Sequence, residues 1–174
     1  MVTETHDMTT SISAEGILRI LDSVMDPEIP VLSVTDLGII RSVKFEELEN
    51  TEGVWRIAIT PTYSGCPAMD AISMNIRLAL LQHGIKNFKI EQQLSPAWTT
   101  DWISEKGKQQ LLAYGIAPPV GKIDLTENIE QPKVQCPLCH STNTKLISQF
   151  GSTSCKALYQ CNDCKEPFDY FKCH

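Results

Sequence analysis

The chain has 174 residues, a formal net charge of −6 and a hydrophobic content of 42%, which is ordinary for a globular protein. This acidic balance leaves little positive surface for a phosphate backbone, so no nucleic-acid partner is expected. No apolar run approaches the ~20 residues of a membrane span, and no basic region precedes an apolar leader, so we expect no membrane association and a cytoplasmic location.

The first predicted element is a helix. Residues 1–12 are polar and are predicted to be a disordered start. From Ser13, which can cap a helix, apolar residues recur at helical spacing as far as Asp26. The stretch DPEIPVLSVTDLGII then interrupts regular structure with two prolines and a glycine. Its carboxylates, Asp26, Glu28 and Asp36, are of the type that usually stabilises caps and turns.

A hairpin and a second helix follow. A strand at about 39–45, an acidic turn and a return strand with alternating apolar residues from Trp55 to Ile59 predict two paired strands. Pro67 suits the first position of a helix, because its missing N–H would have no partner there. The apolar stripe of this helix predicts an end near Gly84.

A third strand and a third helix complete this part of the chain. Four residues alternate as in a strand: Phe88, Ile90, Gln92 and Leu94. Thr100 can cap a helix that Gly115 terminates. The order α-β-β-α-β-α predicts an α+β domain over 13–117, with helices against a small sheet. The polar stretch 118–133, which contains prolines near both ends, is interpreted as a linker.

Six of the seven cysteines follow residue 135. Two Cys-x-x-Cys pairs are separated by 21 residues: Cys136, Cys139, Cys161 and Cys164. Each pair can present two thiolates to one ion, and two pairs complete a closed tetrahedral site. A segment of ~40 residues rarely builds a sufficient core, so we predict one structural zinc in a small zinc ribbon over 134–174. Iron tolerates the same four sulfurs and remains the alternative.

Three further soft donors accompany this segment: Cys155, Cys173 and His174. One interpretation is that Cys155 is a small buried packing residue and that the last two residues are an ordinary tail. The other is that they hold a second labile metal or supply a redox thiol. The stretch SQFGSTSCKALY, between the two ligand pairs, is the predicted contact surface for a partner.

Cys66 is the remaining cysteine and lies between Gly65 and Pro67, at the predicted start of a helix. Unpaired backbone N–H groups and the helix dipole at such a position favour an anion and lower the pKa of a thiol. Cys66 is therefore a candidate reactive thiol or transient metal ligand, and an inert buried cysteine is the alternative. No phosphate loop, nucleotide fingerprint or histidine dyad accompanies it, so no catalytic residue is assigned.

Several stretches resemble known families. DPEIPVLSVTDLGII and ITPTYSGCPAMD resemble the SufT-like iron–sulfur assembly family (MIP18 family), over roughly residues 13–115. PAWTTDWIS, GIAPP and the cysteine-rich tail look like the PaaD family, a component of multicomponent phenylacetyl-CoA epoxidases, and this resemblance spans nearly the whole chain.

The resemblance implies a non-catalytic accessory protein of bacterial phenylacetate degradation. The implied partners are a diiron oxygenase, which epoxidises the ring of phenylacetyl-CoA, and a reductase with flavin and an iron–sulfur centre. The implied role is maturation: delivery or insertion of iron or an iron–sulfur cluster into those subunits. The resemblance further implies that Cys66 is the reactive cysteine, with Asp36 nearby. A stable structural or regulatory subunit is the alternative, and a homodimer through Cys66 remains open.

Overall fold

The computed structural model describes residues 12–48, 53–63, 65–120 and 133–172. In these ranges the helices and strands, in chain order, are α1 (Ala14–Leu21), β1 (Ile40–Glu46), β2 (Val54–Ile59), α2 (Ala68–Gln82), β3 (Phe88–Gln92), α3 (Glu105–Tyr114), β4 (Ile116–Ala117), β5 (Thr144–Ser148), β6 (Lys156–Cys161) and β7 (Pro167–Phe171). The predicted α+β class, with a small ribbon after it, is confirmed. The predictions for the disordered start, most of the linker, Cys173 and His174 fall outside the described residues, apart from Ile12 and the ends of the linker.

The first sheet has the strand order β1-β2-β3 and carries the N-terminal core. Strands β1 and β2 pair in antiparallel fashion as the predicted hairpin, and β3 lies parallel to β2 after the crossover through α2. Trp55, Ile57 and Ile59 alternate toward the core, as predicted. Helix α2 buries Ile72 and Ile76 against the same core.

Two helices begin or end elsewhere than predicted. Helix α1 is capped by Ser13, as expected, but it ends at Leu21 and not at Asp26, because the following residues form tight turns in place of helical hydrogen bonds. Helix α3 starts at Glu105, where the Ser104 hydroxyl accepts a hydrogen bond from the N–H of Gly107. The predicted cap at Thr100 instead begins a single 3-10 turn.

The third strand ends two residues earlier than the sequence pattern predicts. Strand β3 ends at Gln92, and Leu94 lies beyond it with 64% of its surface exposed. Its alternation with the preceding residues therefore does not reflect strand structure. Leu94 instead lines a cleft that is described below.

The second sheet has the order β4-β7-β6-β5. Its β5, β6 and β7 form an antiparallel meander, and the two-residue β4 lies parallel to β7. Gly115, whose φ of 91° ends α3 in the left-handed region, leads directly into β4. The last two residues of the predicted 13–117 unit are therefore part of the ribbon sheet.

The ribbon packs against the N-terminal domain. Phe171 of β7 and Cys155, just before β6, belong to the same buried cluster as the core of the first sheet. The rings of Trp98 and Phe171 meet edge to face, with 6.0 Å between their centroids. This contact fixes the ribbon next to the connection between β3 and α3. No helix in the described ranges has the length and apolar character needed to cross a bilayer.

Candidate metal centre and thiol site

The four predicted ribbon ligands converge. Their sulfur atoms all lie within 4.8 Å of one another: Cys136, Cys139, Cys161 and Cys164. Two of the sulfur–sulfur distances are 3.8 Å, from Cys136 to Cys164, and 3.5 Å, from Cys139 to Cys161. A tetrahedron with each sulfur about 2.3 Å from zinc has edges of about 3.8 Å. The donor set therefore fits one tetrahedral zinc ion.

The two Cys-x-x-Cys turns share a backbone geometry that directs N–H groups at the sulfurs. The residue after the second cysteine of each turn is left-handed, with φ of 60° at His140 and 69° at Lys165. The backbone N–H of the next residue then bonds a sulfur: Ser141 bonds Cys139, and Glu166 bonds Cys164. At Cys161, N–H groups of Cys164 and then Asp163 lower the pKa of the thiol to about 7. The clustered thiols and burial nevertheless raise the pKa of Cys139 and Cys164, so all four sulfurs become thiolates together only when a bound cation replaces their protons.

This cluster has the character of a structural site. Four sulfurs complete the coordination of a tetrahedral ion and leave no open position for a substrate. In the part of the chain that the structure describes, no other group of three or more cysteine, histidine or acidic side chains has all its donor atoms within 4.8 Å. The remaining candidate, Cys66, lies in a different setting.

Cys66 lies next to the start of α2. Its backbone N–H donates to the carbonyl of Tyr63, and its own carbonyl accepts from the N–H of Met69. Pro67 occupies the N-cap, and the backbone N–H of Ala68, the first residue of the helix, bonds the Cys66 thiol. The predicted position at a helix terminus is confirmed.

The predicted consequence of that position, a lowered pKa, is wrong. Burial raises the pKa of the Cys66 thiol, and the bonds from the Ala68 N–H and the Tyr63 hydroxyl do not offset it. The negative charges of Glu28 and Asp26 raise it further. Cys66 is half-buried and, at neutral pH, carries its proton. A metal ion that displaces this proton forms a bond that can be reversed by protonation.

The acidic loop residues have different roles. The Asp26 carboxylate accepts hydrogen bonds of 2.8 Å from the N–H groups of Glu28 and Ile29, which is the turn role expected from the sequence. Glu28 instead faces the ribbon, where its Oε2 lies 3.7 Å from Sγ of Cys155. Sequence-based reasoning missed this contact because it joins residues 127 positions apart, and no local pattern carries it.

Asp36 is buried in a network of its own. Its carboxylate accepts hydrogen bonds from Ser33 and Ser104 and pairs with the Lys106 ammonium at 2.9 Å. Burial opposes its ionisation, but these partners together lower the pKa of Asp36. Asp36 therefore ties the DLG loop to the start of α3, and a position near Cys66 remains a prediction.

Cys155 is buried at the interface between the ribbon and the N-terminal domain. It is 4% exposed, and its sulfur lies 3.1 Å from the Thr153 hydroxyl. Burial raises the pKa of this thiol to about 11. Part of the predicted partner-contact stretch SQFGSTSCKALY therefore packs against the protein's own first domain.

A cleft of about 440 Å³ opens beside these thiols. Its walls come from both domains and include Thr60, Tyr63, Leu94, Trp98, Phe150 and Ser154. The Tyr63 hydroxyl bonds both Ser154 of the ribbon and the Cys66 thiol. The cleft thus reaches the immediate neighbour of Cys66 from the solvent.

Two family models match the chain in succession. The model described as "Iron-sulfur cluster assembly protein" matches residues 14–86, and the "PaaD zinc beta ribbon domain" matches residues 122–172. A crystal structure of DUF59, a domain of unknown function, from Bacillus anthracis has a TM-score of 0.50 and 22% identity. The match covers 56% of this chain and 90% of that one, and it shows the fold of the first domain alone.

Two curated relatives extend this comparison. An iron–sulfur protein maturation auxiliary factor of Porphyromonas gingivalis is 37% identical over 98 residues, which are 56% of this chain and 89% of that protein. A candidate component D of the 1,2-phenylacetyl-CoA epoxidase of Escherichia coli (strain K12) is 49% identical over 157 residues, which are 90% of this chain and 91% of the relative. The chain therefore belongs to the PaaD family of phenylacetyl-CoA epoxidase components, in which an iron–sulfur assembly domain precedes a zinc ribbon.

Proposed function

We propose that this protein is an accessory maturation subunit of a multicomponent phenylacetyl-CoA epoxidase. In this role it holds iron or an iron–sulfur cluster briefly and passes it to a partner, either the oxygenase or the reductase. The observation that carries the proposal is the half-buried Cys66 thiol at the start of α2, within a chain that shares 49% identity with a PaaD-type epoxidase component.

The environment of Cys66 suits transient binding. A metal must displace the proton of a thiol whose pKa is raised, so the apparent affinity for the metal at neutral pH is lower than at a preformed thiolate. The neighbouring cleft supplies an opening through which the cargo can enter and leave. Catalysis is not needed for this role, because the oxidation chemistry belongs to the partner subunits.

The ribbon has a supporting part in this proposal. We assign zinc to the four-cysteine site, because the sulfur spacing fits a zinc tetrahedron and both turns supply N–H groups to the sulfurs. The ion holds the β5-β6-β7 meander together, and Ser154, just before β6, bonds the Tyr63 hydroxyl that also bonds the Cys66 thiol. Zinc therefore shapes the site without exchanging with the cargo.

A second candidate function is a stable structural or regulatory subunit that handles no metal beyond the ribbon's zinc. The protonated state of Cys66 at neutral pH favours it, because such a thiol is a poor nucleophile. This candidate predicts tight co-purification with the oxygenase and full epoxidase activity when the thiol is removed.

The test measures iron in the partners. The wild-type protein and Cys66→Ser would each be co-expressed with the oxygenase and reductase subunits, and iron and acid-labile sulfide would be measured in the purified partners. We expect Cys66→Ser to lower the loading of one partner. Met74→Ser, which removes an exposed sulfur from the same helix, is the matched control and should load normally. Full loading with Cys66→Ser would contradict maturation and support the structural role.

A further inference from the structure

A thiol of the ribbon and a carboxylate of the acidic loop meet at the domain interface. Sγ of Cys155 lies 3.7 Å from Oε2 of Glu28, and Cys155 is 4% exposed. A buried thiol beside a carboxylate is a pair of donors that a thiophilic cation can use together.

The charge of the same carboxylate also reaches Cys66. The Glu28 charge acts on the thiols of both Cys66 and Cys155. A second connection runs through Tyr63, whose hydroxyl bonds the Cys66 thiol and also Ser154, the residue before Cys155. Two thiols from different domains are therefore linked, through the charge of Glu28 and through the hydroxyl of Tyr63.

A buried lysine supplies positive charge to this group. The side chain of Lys156 is only 8% exposed, and its Nζ lies 3.7 Å from Oδ2 of Asp169. Its charge also acts on Cys155 and on Asp26. Two thiolates and a carboxylate around a divalent ion leave one net negative charge, and the ammonium offsets it.

We propose that Cys66, Cys155 and Glu28 together form one exchangeable binding site for a thiophilic divalent cation, ferrous iron, across the interface between the two domains. This inference rests on the proposed maturation function, in which iron is the cargo. It adds that the ribbon supplies one ligand to that iron, Cys155. Sulfur with carboxylate oxygen is a donor set suited to borderline divalent ions.

The geometry supports reversible binding. A tetrahedral ion with sulfur at about 2.3 Å and oxygen at about 2.0 Å sets a sulfur–oxygen separation of about 3.5 Å. The Cys155–Glu28 pair is already near that value, at 3.7 Å. The three donor atoms do not all lie within 4.8 Å of one another, so binding requires the Cys66 side chain to turn toward the pair. A fourth position then remains for solvent or a partner's donor group. Such a site can release its ion, because its ligands move apart and one coordination position is not filled by protein. The ribbon's four sulfurs, in contrast, fill every position of a tetrahedral ion.

The test titrates Fe(II) anaerobically into the full-length, zinc-loaded protein. Co(II), added in a parallel series, reports sulfur ligation through its thiolate charge-transfer absorption. The variants are Cys66→Ser, Cys155→Ser and Glu28→Gln. Glu47→Gln, which removes an exposed carboxylate of the same domain, is the matched control. Cys155→Ser keeps a hydroxyl that can bond Glu28 and removes only the sulfur.

We expect the wild-type protein to bind one ferrous ion beyond the zinc. Each of the three variants should bind it at least about tenfold more weakly, with Glu47→Gln unchanged. The cobalt charge-transfer intensity should fall in both cysteine variants. Binding lost in Cys66→Ser but unchanged in Cys155→Ser and Glu28→Gln would overturn this inference and leave the maturation proposal intact. Absence of any ferrous binding to the wild-type protein would overturn both.

Folding controls keep the result interpretable. Zinc content and the thermal midpoint would be measured for each variant before titration. If Cys155→Ser lowers either, Cys155→Ala serves as a second thiol-free variant. The charge-preserving Glu28→Asp should then bind iron more strongly than Glu28→Gln, because it retains a carboxylate. Equal binding by these two variants would overturn the role of Glu28.

Discussion

Trp98 and Phe171 join the two domains through an edge-to-face contact, with ring planes at 77° and centroids 6.0 Å apart. Phe171 is 1% exposed, so Phe171→Ala should cost about 3–5 kcal/mol of unfolding free energy through the cavity that it leaves. All described helices lie in the first domain, so far-UV circular dichroism during denaturant unfolding reports whether that domain is affected. An unchanged helical midpoint would contradict coupling between the domains. Ile147→Ala, at an exposed ribbon position, is the control and should change stability by only about 0.5 kcal/mol.

Removal of one ribbon ligand should remove the zinc. Cys136 is fully buried, and Cys136→Ser leaves an incomplete sulfur tetrahedron. Elemental analysis should find about one zinc per chain in the wild-type protein and close to none in this variant. Cys66→Ser should keep its zinc, because Cys66 is not one of the four clustered sulfurs. Zinc retained by Cys136→Ser would show that the ion lies elsewhere.

The glycine of the DLG loop should resist substitution. Gly38 has φ of +74°, and a Cβ there would lie 2.2 Å from the backbone oxygen of Trp102. Gly38→Ala should therefore destabilise the fold by more than about 2 kcal/mol, since backbone must shift in addition to the strain of a left-handed residue. Gly84→Ala separates these effects, because Gly84 has φ of +78° and open space around it. We expect the control to lose only about 1 kcal/mol in urea unfolding, and equal losses would refute the steric argument.

The Asp36 network should contribute stability that disappears in acid. The pKa of Asp36 is lowered in the folded protein, so its ionised form stabilises the fold above the unfolded pKa of about 3.9. This contribution is lost as pH falls through the lower, folded pKa. Asp36→Asn should cost about 1–3 kcal/mol at pH 7 and progressively less below about pH 4. Unfolding curves across this range test it, and a constant difference from the wild-type protein would contradict it.

Alkylation should reveal the protonated state of Cys66. Because the pKa of Cys66 is raised above its ordinary value of 9.0, the thiolate fraction at pH 7 is smaller than in an unfolded chain. Iodoacetamide should therefore label Cys66 of the zinc-loaded protein more slowly at pH 7 than it labels the peptide TYSGCPA, with the rate rising through pH 9 and above. Mass spectrometry after timed quenching measures both rates. Faster labelling in the folded protein would contradict the raised pKa.

Local patterns predicted the features that local chemistry determines. The Ser13 cap, the alternation in β2, the left-handed Gly115 and the two Cys-x-x-Cys turns each depend on residues a few positions apart. The sequence predicts the start of α3 at the wrong residue, because Thr100 and Ser104 are both good helix caps. The tertiary contact that distinguishes them is the hydrogen bond between Ser104 and Asp36.

The thiol site depended on contacts that no short pattern contains. The helix terminus at Cys66 follows from sequence, but its pKa depends on burial and on the acidic charges near it. The approach of Cys155 to Glu28 follows from the packing of β6 and β7 on the first domain. Long-range packing therefore determines which of the predicted donors can act together.

The parallel pairing of β4 with β7 has a consequence for cleavage of the chain or insertion into it. Residues 116 and 117 already lie in the ribbon sheet, so the chain enters the second sheet before it reaches the stretch 118–133. A proteolytic nick or an insertion in that stretch would leave the two domains joined by their shared core. The chain should therefore keep Cys66 and Cys155 in their relative positions even when the covalent connection through this stretch is cut.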